Sequence, residues 1–112
     1  RKGVEGMPTY IVEREIPGVS RMTEAELREV SLRSLEVLSQ LGPEIQWLHS
    51  YVADDKIYCI FFTDDESLIL EHSRRHGPLA RIDRIQAVRW MLDPTNYVQK
   101  ATEGAVSSAH SE

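Results

Sequence analysis

The side chains best suited to chemistry in this chain are histidines and carboxylates. His72 and His76 stand four residues apart, so on a helix their imidazoles share one face and can pinch a metal ion. Glu71 beside them adds a hard oxygen donor. A second reading is open for the pair: two partly exposed histidines near a helix C-terminus, where the dipole favours their charge. His49 lies among strand aromatics, where its ring nitrogens need partners, whether a tyrosine, a carboxylate or a metal. Glu13 sits within an apolar strand pattern and likewise requires a cation, a donor or water. A centre built from His49, His72, Glu13, Glu71 and His76 would mix nitrogen and oxygen ligands. Imidazole suits nickel, copper and zinc, and a water-completed octahedron favours nickel. The glycine-rich phosphate loop, the Cys-x-x-Cys pair and the Gly-x-Ser-x-Gly elbow are all missing from the sequence.

The elements that must position these groups are legible from periodicity and caps. Thr9 to Ile16 alternates as a strand, with Tyr10, Val12 and Ile16 on one face and Ile11, Glu13 and Glu15 on the other. Thr23 followed by Glu26 is a capping box opening a helix to Leu41, with Leu27, Val30, Ser34, Leu38 and Leu41 as its buried stripe. Gly42-Pro43 ends it.

Ile45 to Phe62 reads as a hairpin turning at Asp54-Asp55. One face carries Leu48, Ser50, Val52, Ile57, Cys59 and Phe61. The other carries Trp47, His49, Tyr51, Tyr58, Ile60 and Phe62. Thr63 to Glu66 has the pattern of a second capping box, for a helix running to His76 and ended by Gly77-Pro78. Ile85 to Leu92 reads as a last strand.

This order is the βαββαβ arrangement of a ferredoxin-like fold, an α+β class with an antiparallel sheet and both helices on one face. The other face, with Trp47, Tyr51, Tyr58 and Phe62, is then bare in a monomer and calls for a partner or a ligand. A second copy related by two-fold symmetry supplies that cover and makes a dimeric α/β barrel. Residues 8–96 form the expected domain, residues 1–7 a disordered or added segment, and residues 97–112 a mobile tail.

A formal net charge of -5 argues against a general nucleic-acid binder, and Arg74, Arg75, Arg81 and Arg84 read as a solvated face. No apolar run reaches the length of a membrane span. Cys59 is the single cysteine, so no intrachain disulfide forms, which suits a reducing cytoplasm and the role of a small buried hydrophobe.

Four segments carry a family resemblance: Ile11 to Gly18, Trp47 to Val52 continuing through Asp54 to Cys59, Glu71 to Arg75, and Leu92 to Thr95. Over about Pro8 to Asn96 the chain resembles a family of short bacterial proteins whose best-described type is nickel-binding, nickel-responsive and a ferredoxin-like dimer. His49, Glu71, His72 and Glu13 match its motifs by position. The chain departs from the pattern at His76-Gly77-Pro78-Leu79-Ala80-Arg81, where the family tends to have a glycine pair followed by Phe-Pro-Ala, so His76 is not carried over. The resemblance implies a homodimeric nickel-binding protein acting in metal sequestration or response rather than catalysis, with zinc or copper as alternative metals. The competing expectation is a small-molecule enzyme or ligand-binding protein that uses the barrel lumen lined by Trp47, Tyr51 and Tyr58.

Overall fold

The computed structural model describes residues 6–77, 81–95 and 97–100. Residues 1–5 and 101–112, which hold most of the expected leading segment and tail, lie outside the described residues, as do Pro78, Leu79, Ala80 and Asn96. Strands β1 (Thr9–Glu15), β2 (Ile45–Val52), β3 (Lys56–Thr63) and β4 (Arg84–Ala87) form an antiparallel sheet in the order β2-β3-β1-β4. Helices α1 (Glu24–Leu41) and α2 (Ser67–His76) connect them in the βαββαβ order. The fold is α+β, as expected.

Helix α1 starts where its capping box forms. Thr23 Oγ1 accepts from the Glu26 amide at 3.1 Å, and Glu26 Oε1 accepts from the Thr23 amide at 2.8 Å. It ends at Gly42, whose φ of +87° is a left-handed conformation that glycine adopts without penalty. The second capping box does not form. Thr63 is fully buried at the end of β3, where its hydroxyl donates to the Glu44 carbonyl at 2.7 Å. Asp65 starts α2 instead, its Oδ1 accepting from the Ser67 amide at 3.0 Å.

The core lies between the sheet and the two helices. Val12, Ile45, Cys59 and Phe61 face Leu38 of α1 and Ile69 of α2, all buried. Met7, just ahead of β1, is also fully buried.

The β2–β3 hairpin departs from simple alternation. From the turn outward, Val52 pairs with Ile57, Tyr51 with Tyr58, Ser50 with Cys59 and His49 with Ile60. The next pair is Trp47 with Phe61, so Leu48 is an extra residue, a β-bulge. Directly paired residues share a face, which puts Trp47 on the helix side with Phe61 and leaves Leu48 exposed. The expectation that Trp47 joins the aromatic open face is therefore corrected. Phe62 is on the open face but buried, so it is not part of a bare patch.

The expected last strand is two strands. Pairing with β1 ends at Tyr10–Ala87, and the Val88 amide donates to the Thr9 carbonyl at 2.8 Å, after which β1 offers no further partner. The chain then leaves the sheet. Strand β5 (Trp90–Asp93) pairs antiparallel with β6 (Tyr97–Lys100) in a separate two-stranded sheet. Tyr97–Lys100, at the start of the expected tail, is thus a strand.

Because both halves of the α1 capping box are made, Thr23→Ala is expected to lower stability by about 1 kcal/mol. Urea denaturation measures it, and an unchanged midpoint would show that the box does not hold the helix start.

Candidate metal centre

Helix α2 presents Ile69, His72 and His76 inward, at steps of three and four. His72 is only 3% exposed and His76 6%. Their ring centroids are 5.6 Å apart. His72 Nε2 lies 2.9 Å from Ser34 Oγ on α1, and the ring tilts against Phe61. His76 Nε2 lies 3.2 Å from the Val30 carbonyl. A carbonyl only accepts, so His76 carries its proton on Nε2, and Nδ1 of the neutral ring keeps a lone pair. Nδ1 of both histidines is buried with no hydrogen-bond partner among the described residues.

Burial dominates the electrostatics of the pair. It pushes His72 down to about 4, helped by the Arg14 guanidinium and by His76. It pushes His76 down too, against the opposing effect of its backbone contacts. Both rings are accordingly neutral at pH 7, the protonation state in which imidazole ligates metals.

The pair lines a cavity of about 180 Å³ between the helices and the sheet. Arg14, Ser34, Trp47 and Cys59 contribute to the same walls. Trp47 reaches it because of the bulge at Leu48, and its indole donates to Ser50 Oγ at 2.9 Å. Arg14 is 3% exposed, and its Nη1 donates to Ser73 Oγ at 2.8 Å.

The other expected site residues lie elsewhere. Glu71 accepts from Arg74 Nε at 3.1 Å and from Arg75 Nε at 2.7 Å, and these contacts hold its carboxyl at about 2. Glu13 is on the open face in an ion pair with Lys56. His49 is exposed on that same face, edge-on to Tyr51 with centroids 5.0 Å apart. Within one chain the sheet stands between His49 and Glu13 on one side and His72 and His76 on the other. Among the described residues, no three of His, Cys, Asp and Glu gather as a ready metal cluster.

Arg14 is the residue that sequence reasoning passed over. Its signal was present, since it falls between Val12 and Ile16 on the apolar parity of β1. Ser34 was visible only as a polar break in the leucine stripe of α1.

The family model for nickel responsive protein SCO4226-like matches residues 10–88. This chain belongs to that family. The matched span runs from β1 through β4, so the nickel-responsive family unit contains the cavity and its histidine pair and stops short of β5 and β6. No curated protein and no solved structure matches the chain.

Neutral burial of His72 makes stability pH-dependent. The folded protein keeps the ring unprotonated down to about 4, whereas the unfolded chain takes up a proton near 6.5. The unfolded state binds more protons in that interval, so stability falls as pH drops from about 6.5 to about 4, by on the order of 3 kcal/mol. His76 acts in the same direction. Urea titrations at pH 7 and pH 4.5 should show the loss, and His72→Gln should reduce it. Equal stability at the two pH values would mean that His72 is not held neutral.

Proposed function

We propose that this member of the nickel-responsive family is a homodimeric, cytoplasmic nickel-binding protein, with His72 and His76 as its protein ligands and metal sequestration or response as its role. The observation that carries this reading is the pair of neutral, buried imidazoles on one turn of α2, each with an Nδ1 that has no hydrogen-bond partner among the described residues. Two preorganised imidazoles suit nickel, zinc and copper, and membership in the family favours nickel. When bound, the metal would join the two rings across one helical turn, and the surrounding apolar walls would keep bulk water away. Ser34 and the Val30 carbonyl hold the opposite nitrogens and so orient the rings.

The open face supports the dimer. Ile11 and Tyr51 are exposed there, Tyr51 to 61%, beside half-buried Tyr58 and Ile60. The β5–β6 hairpin exposes Trp90 to 57% and Leu92 to 75%. A second copy packed on these apolar groups is the cover we infer. His49 and Glu13 would then lie at the dimer face.

Calorimetric titration with nickel should give at least tenfold weaker binding for His72→Ala and for His76→Ala than for the natural chain, with zinc weaker than nickel on the latter. Equal nickel affinity in both variants would remove the pair from the site.

Light scattering should report a dimer, and Tyr51→Glu should shift it toward monomer. A monomeric natural chain at micromolar concentration would contradict the dimer.

A further inference from the structure

The core of the domain closes at one end and not at the other. Leu38, Ile45 and Ile69 are buried where the second half of α1 meets β2 and α2. Leu27 and Val30, on the first half of α1, face Trp47 and Ile57 of the hairpin across the cavity, and all four are only half-buried. The small residues Ser31, Ser34, Ser50 and Cys59 also line the gap and leave it unfilled. Protein interiors are otherwise packed with few voids larger than a water molecule. A dry cavity of about 150 Å³ is enough to hold benzene. This one measures about 180 Å³, room for an aromatic ring with one small substituent. Val52 lines it and is exposed, so the cavity reaches solvent at that edge.

The walls suit an uncharged aromatic molecule. Trp47 and Phe61 offer ring faces and edges, and the aliphatic groups beside them reward burial of apolar surface. Much of the polar lining is already committed. The Trp47 indole donates to Ser50, the Ser31 hydroxyl donates to the Leu27 carbonyl at 3.0 Å, and Ser34 is paired with His72. Arg14 is engaged with Ser73 and in a further interaction, so no charge on a ligand is called for on its account.

The histidine pair asks for one more thing. His76, with its proton on Nε2, has an Nδ1 that can only accept, so a carbonyl or an ether oxygen cannot serve it. His72 Nδ1 accepts or donates according to whether Ser34 accepts from Nε2 or donates to it. A hydroxyl both donates and accepts, and is therefore the single group that fits the pair in either state of His72.

We propose that the metal-free cavity binds a small uncharged phenol, its ring between Trp47, Val30 and Phe61 and its hydroxyl directed to His72 and His76. This does not rest on the nickel reading and gives the same histidines a second use.

NMR of the natural full-length chain, free of metal and titrated with phenol, tests this. Nuclear Overhauser contacts should join the phenol ring protons to Val30, Ile57 and Phe61, and none should reach Ile11 or Ile60 on the open face. Phenol should bind about tenfold more tightly than toluene, a ring of similar size without the hydroxyl. Ser31→Leu, which fills the gap and removes a hydroxyl bonded only within its own helix, should weaken phenol by about tenfold or more.

Contacts at Ile11 and Ile60 instead, or no contacts at all, would overturn the proposal and leave the nickel reading untouched. Toluene bound as tightly as phenol would overturn the hydroxyl recognition on which the class of ligand depends, and benzoate bound more tightly than phenol would show an anion site instead. A chain that takes up no nickel but gives the expected phenol contacts would sink the nickel reading and support this one. The natural chain decides each of these results, so a Ser31→Leu variant that fails to fold does not alter them.

Discussion

Two imidazoles and a guanidinium are buried together under two helices, and much of the rest of the structure serves to make that arrangement tolerable. His72 and His76 avoid the penalty for buried charge by staying neutral, which the apolar surroundings of Phe61 and Ile69 enforce. Arg14 cannot discharge itself in this way, so it is anchored to Ser73. Helix α1 supplies the contacts that fix the rings, Ser34 for His72 and the Val30 carbonyl for His76. In return, Arg33 on α1 donates to the His76 carbonyl at 2.8 Å and ties down the last turn of α2. The two helices and the cavity are therefore one mechanical unit, and a change in either helix is felt by the ring nitrogens.

A single extra residue in β2 decides which aromatic groups belong to the cavity and which to the open face. With Leu48 bulged out, Trp47 turns inward and its indole is occupied by Ser50. His49, Tyr51 and Tyr58 remain on the other side, with Glu13 and Lys56. The two faces of the sheet thus carry separate chemistry: a mainly apolar cavity holding a few buried polar groups on the helix side, and a broad surface of mixed apolar and aromatic character on the other. This separation is why the five histidines and carboxylates picked out by type do not form one cluster within a chain.

The fold was legible because its signals are local and repeated. The capping box at Thr23, the glycine after each helix and the hairpin turn at Asp54-Asp55 all lie in a few consecutive residues, and together they set the βαββαβ order. The family could also be read, because the segments around Glu13, His49 and His72 are distinctive runs. What escaped depends on long-range pairing. Nothing in Trp47-Leu48-His49 marks a bulge, since an apolar run without glycine looks the same in either register. The break after Ala87 follows from where β1 begins, not from the residues at the break. Thr63 looked like a helix cap but was claimed by the Glu44 carbonyl, a partner nineteen residues away in sequence. In the candidate site, the His72–His76 spacing was visible, whereas Arg14 and Ser34 become meaningful only when β1 and α1 are brought against α2.

X-ray absorption at the nickel edge of the loaded protein most directly addresses the metal centre. Two imidazoles per nickel, with oxygen donors completing the shell, are expected, and the imidazole contribution should fall in His72→Ala. A spectrum without imidazole scattering, or one unchanged in that variant, would contradict a centre built on His72 and His76.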